Sequence, residues 1–133
     1  MNDETRLQAS LLALRLTVFL VMAMWTVDKF VNPGHAAGVF ENFYFIPGLG
    51  AGAFLLIGLA EAALLLAFVA GVLKRFTYGA VLLLHAASTL SSFPRYIAPF
   101  EGPNLLFFAA WPMLAACLAL YLLRDRDRLL AVA

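Results

Sequence analysis

Charge and cysteine are both scarce in this chain of 133 residues. Asp, Glu, Lys and Arg together make up 13% of it, and Cys117 is the only cysteine. A single cysteine excludes an internal disulfide and any CxxC redox or zinc motif. Lying within an apolar run, it reads as an inert small hydrophobe. The net charge of +1 leaves neither a basic patch for nucleic acid nor an acidic tail. Histidine is confined to His35 and His85, which fall in different parts of the chain, so an internal bis-His haem is excluded. A nucleotide loop, a nucleophile triad, HExxH and CxxCH are all missing. No redox-cofactor absorbance is expected of the chain alone. The period-2 alternation of a membrane strand is missing too, which favours helices over a barrel.

Apolar residues take the place of what is missing. They make up 64% of the chain and the mean hydropathy is +0.91, against about 45–50% apolar in an average soluble domain. So small a globule cannot hide that surplus inside itself, so the bilayer is the expected solvent for most of it. Four spans are predicted, about 10–30, 50–73, 76–93 and 104–123, each close to the roughly 20 residues that a crossing needs. The expected fold is an all-α membrane protein, a single four-transmembrane-helix bundle covering residues 1–133. The first apolar segment is longer than a secretory h-region and is interrupted by Arg15, so it is expected to stay as a helix.

Lys and Arg near the span ends set the orientation. Arg6, Lys74, Arg75, Arg124, Arg126 and Arg128 fall on one side, and only Lys29 and Arg95 on the other. Both termini are therefore expected in the cytoplasm. Asn32-Pro33-Gly34 ends the first span. The aromatic stretch Val39–Pro47 suits the headgroup level, and the three prolines of Pro94–Pro103 suggest a stiff cap over the bundle.

Glu61 and His85 sit near the middle of the second and third spans, close to the membrane midplane. An ionisable group there costs roughly 2.5–3.5 kcal/mol on insertion scales, so it faces protein or water. These two are the candidate catalytic residues. Tyr78, His85, Ser88, Ser92 and Arg95 share one helical face, either the polar wall of a ligand site or proton path, or glue between helices. Arg15, Val18, Met22, Trp25 and Lys29 form a stripe on the first span. Arg15 either snorkels to the nearer surface or turns inward to pair with Glu61. Glu61 is correspondingly either half of a structural ion pair or a proton or ligand site. Lys29 and Asp28 reach the outer interface. Pro112 removes a hydrogen bond from the fourth span, so a kink is expected, with Trp111 beside it as packing or as a wall of the site.

Taken together, Arg15, Asp28-Lys29-Phe30 before a Pro-Gly turn, Gly58-Leu-Ala-Glu61, and Gly71 followed by Arg75 resemble the DoxX-like family of small four-helix membrane proteins. The family's usual glycine before the lysine is absent, since Trp25 and Thr26 occupy that stretch. The resemblance implies a bacterial inner-membrane subunit linked to respiratory quinone chemistry, because relatives include a subunit of thiosulfate:quinone oxidoreductase. The expectation is then a small subunit with no redox centre of its own and no covalently bound cofactor. It would meet a quinone with Glu61 and His85, and line its site with Arg15, Trp25, Lys29, Tyr78, Ser88 and Trp111. The expected partners are the lipid bilayer and other membrane subunits. A non-catalytic assembly or scaffold subunit is the rival reading, and a small transporter or proton channel the third.

Overall fold

A computed structural model describes residues 2–31, 34–35, 41 and 51–132. Every regular element among them is helical. The first, α1 (Asp3–Val31), starts seven residues earlier than the apolar run. Asn2 caps it by accepting the Thr5 N–H at 2.8 Å, and Asp3 and Glu4 in its first turn complement the helix dipole. Most of the aromatic stretch before the second span lies outside the described residues, as does the Asn32-Pro33 pair.

The second helix, α2 (Ala51–Ala70), ends on a Schellman turn. Gly71 takes the left-handed φ of +73° that the motif demands. Its N–H bonds the Phe68 carbonyl at 3.1 Å, and the Val72 N–H bonds that of Ala67 at 2.9 Å. After this tight turn α3 (Lys74–Ser91) runs back antiparallel. It stops before Pro94, and a one-turn helix, α4 (Phe93–Tyr96), follows. Arg95 therefore does not continue the polar face of α3, as its spacing had suggested, because the chain changes direction at Ser92.

The last span is wound in two ways. Asn104–Ala109 is a 3-10 helix and α5 (Ala110–Leu122) is an α-helix. Pro112 cannot bond the Phe108 carbonyl, which falls in the 3-10 stretch. The missing bond thus shows as a change of winding at Ala109–Ala110, where a kink within an α-helix had been expected.

α1 packs along α2, and α3 along α5; α1–α5 and α2–α3 contacts join the two pairs. Leu11, Val18, Leu65, Phe68, Tyr78, Val81, Cys117 and Leu120 form the core. All lie toward the end that gathers the start of α1, the α2–α3 turn and the close of α5. Residues 124–132 cross that end as a strap: Arg126 pairs with Glu4, and the Val132 N–H bonds the Ala70 carbonyl at 2.8 Å. The start of α1 and the chain after α5 thus share one end of the molecule.

Two helices, Asp3–Asp28 and Asn104–Leu122, are long and apolar enough to cross a membrane; Leu55–Ala70 is a shorter apolar helix. α3 has only 18 residues and carries Lys74, Arg75 and its polar face. Large apolar side chains are exposed on all four long elements, among them Leu20, Leu56, Leu83 and Leu118.

Candidate functional site

Polar groups occupy the interior at two levels. At the strapped end, Arg15 and Asp127 are both fully buried, with Nη1 of the guanidinium 3.0 Å from Oδ1 of the carboxylate. Tyr78 donates its hydroxyl to Asp127 Oδ2 at 2.6 Å. The Arg15 Nη2 also donates to the Leu129 and Leu130 carbonyls, at 2.6 and 3.1 Å. Lys74 donates to the Asp127 carbonyl. Burial pulls its ammonium below the usual lysine range, with the attraction of Asp127 acting against that shift. Gln8 fastens the strap from α1, its Oε1 accepting the N–H groups of Arg128 and Leu129 at 2.9 and 3.1 Å.

Arg15 therefore neither snorkels nor takes Glu61 as its ion-pair partner. It is paired with a carboxylate that the sequence reading did not consider. A buried cation inside a helix requires an anion at its own depth, and Asp127 is an acid on the same side of the chain. That was the available signal. The three arginines around Asp127 hide it, because an acid among Arg124, Arg126 and Arg128 has the look of a solvated, charged segment.

At the far end, the Thr26 hydroxyl lies 3.0 Å from both the Met22 carbonyl oxygen and Glu61 Oε2, two acceptors for one proton. Glu61 is half-buried and turned toward α1, where Thr26 is buried. His85 is buried, and its Nε2 stands 3.0 Å from the Ala110 carbonyl. A carbonyl can only accept, so Nε2 carries the proton in that contact. One turn further along α3, Thr89 is buried and bonds back to the His85 carbonyl at 2.8 Å. Ser92 is buried as well, its hydroxyl donating to the Ser88 carbonyl at 2.8 Å. Ser88 itself is half-buried.

The rest of the expected set is dispersed. Tyr78 belongs to the Arg15–Asp127 cluster at the opposite level. Trp25 is half exposed on the outside of α1. Trp111 is also largely exposed, with its ring 5.3 Å from that of Tyr96, which stands 5.3 Å from Phe108 in turn. Lys29 lies in α1, but its side chain falls outside the described residues. Asp28 pairs with His35 at 2.6 Å near the surface. Arg95 reaches Asn104 Oδ1 at 3.2 Å and lies over the Phe107 ring. Asn104, buried and missed by sequence reasoning, ties the last span to the Ala98 carbonyl at 2.8 Å. Among the described residues no cluster of His, Cys, Asp and Glu could hold a metal ion.

Comparison with protein-family models, curated proteins and solved structures finds no match for this chain.

Proposed function

We propose that the chain is a multi-pass, four-helix protein of the bacterial inner membrane, of DoxX-like type, with its strapped end in the cytoplasm. It serves as a small subunit of a quinone-linked oxidoreductase complex. What supports the membrane reading is an inverted distribution: leucines cover the outside while Arg15, Asp127, His85 and Thr89 are buried. Water would reverse that arrangement; hydrocarbon favours it.

The quinone reading rests on one observation, the inward polar set at the far end, where Thr26, Glu61, His85, Thr89 and Ser92 lie beyond the apolar core. Its groups suit a carbonyl ligand: the Glu61 carboxyl, oriented by the Thr26 hydroxyl, and the His85 imidazole, whose Nδ1 donates once that nitrogen also carries a proton. A quinone, when bound, supplies a two-electron, two-proton acceptor. Glu61 and His85 would deliver protons to its two oxygens and recover them along the polar face of α3, while the electrons come from a partner subunit.

Glu61→Gln tests this in the native complex, purified through a tag on this chain. Gln keeps the volume and the Thr26 contact but cannot titrate. Quinone-dependent turnover is expected to fall about a hundredfold, the usual scale for losing a positioned acid–base group, with the melting temperature nearly unchanged. Unaltered turnover in a stable variant would leave the scaffold reading ahead. That second reading has its own support, since the Arg15–Asp127–Tyr78 cluster joins α1, α3 and the strap without any ligand.

A further inference from the structure

The geometry points to a carboxylate-binding site at the strapped end, built from Arg15 and Tyr78 beside Lys74, which the chain fills with its own Asp127. The strap is then a latch, and a small free carboxylate can take the place of the Asp127 side chain.

Three observations carry this. First, the two contacts to the carboxylate come from opposite elements and meet its two oxygens separately: Arg15 Nη1 on Oδ1 at 3.0 Å and the Tyr78 hydroxyl on Oδ2 at 2.6 Å. One flank is an ion pair and the other a hydrogen bond, a guanidinium and a phenol on either side of a planar anion. Second, the receptor is not saturated by its occupant. Arg15 is fully buried, and its Nε and Nη1, like Asp127 Oδ1, have no hydrogen-bond partner, so the guanidinium keeps donor capacity inside a closed site. Third, the strap is held by this carboxylate and a few polar contacts rather than by apolar burial. Asp127 is fully buried, whereas Leu130 and Val132 are 76% and 75% exposed. Leu130 also adopts a left-handed φ of +52°, a conformation that a leucine keeps only while its surroundings hold it. What holds it is Arg15, which bonds the carbonyls of both Leu129 and Leu130.

The charge balance fixes the ligand class. Removing Asp127 leaves a buried guanidinium without its anion, with an ammonium close by at Lys74, in a space the size of one carboxyl group. Formate matches that space once Asp127→Ala has removed the carboxyl and kept the β-carbon. Chloride matches the charge but offers no second oxygen to the Tyr78 hydroxyl.

Limited trypsin digestion of the full chain in detergent reads the latch, because the strap contains Arg124, Arg126 and Arg128 and cleavage requires local opening. Asp127→Ala is expected to be cut in the strap at least about tenfold faster than the parent, since an unpaired buried charge destabilises the closed form. Formate is expected to restore protection, and chloride at equal ionic strength is not. Asp127→Asn keeps the shape and still accepts from Tyr78, so it tests the charge in a folded chain. It too is expected to be cut faster, and formate is not expected to protect it, because the amide already fills the space. Saturable binding of 13C-formate to Asp127→Ala, lost when Arg15→Leu is added, is the direct readout. Strap cleavage in Asp127→Asn at the parent rate would overturn the latch. Formate protecting Asp127→Ala no better than chloride would overturn the carboxylate site.

Discussion

Arg15, Glu61 and His85 each meet a polar group on another element: Asp127, Thr26 and the Ala110 carbonyl. The partners differ in what they demand. The Arg15–Asp127 contact is a full ion pair, whereas the Thr26–Glu61 contact is one shared proton. Thr26→Val keeps the shape and removes that proton. It is expected to cost about 0.6–1.5 kcal/mol, the range for a single such hydrogen bond, measured as a fall in melting temperature of a few degrees. Gly71 is less forgiving. Its φ is +73°, and an added β-carbon would stand 2.7 Å from Ala131 Cβ. Gly71→Ala should therefore cost about 1–2 kcal/mol in backbone strain and also push the strap off the α2–α3 turn. Faster exchange of the Val132 amide, whose bond to Ala70 depends on that approach, is the specific sign.

Between elements, α1 and α2 come close where the Phe30 ring lies over Gly58. A β-carbon at Gly58 would come within 2.6 Å of Phe30 Cζ. The ring tip is partly exposed and can swing, so Gly58→Ala should be tolerated. Gly58→Leu is expected to lose about 1–3 kcal/mol by overpacking, and Phe30→Ala should recover most of it. A double-mutant cycle in thermal stability checks that coupling. The helices themselves were legible in the sequence to within a few residues at most ends, because apolar runs, Gly71 and Pro94 mark them. α1 is the exception: its first turns are polar and had been left out of the span, although Asn2, Asp3 and Glu4 form a capping signal. The winding change before Pro112 was not legible. A missing hydrogen bond predicts only that something must give, and either a kink or a tighter helix satisfies it.

Over the whole molecule, Glu61 and His85 stood out in the sequence as ionisable residues in apolar runs, whereas the strapped-end cluster was only half visible. Arg15 stood out because it interrupts an apolar run. Asp127 did not, because it lies among charged residues where solvation is the ordinary reading, and only the fold carries it inside. The proposed membrane orientation is testable at this scale. A cytoplasm-active reporter fused after Val132 and a periplasm-active one inserted at Gly34 are both expected to work. Periplasmic activity at the strap would reverse the orientation.

The pairing of Arg15 with the strap also sets a clock. Leu129, which shares the guanidinium with Asp127, lies 114 residues beyond Arg15. At about 5–20 residues per second of synthesis, the first helix waits roughly 6–23 s for its counter-charge. In the proposed membrane setting, a helix entering a bilayer over that interval carries a bare guanidinium, which favours a shallow position with the side chain reaching toward the surface. On that proposal its final depth would be decided late, when the strap emerges and neutralises it. A nascent chain stalled before residue 127 would hold α1 closer to the surface, and accessibility labelling of cysteines placed along the helix would record the shift.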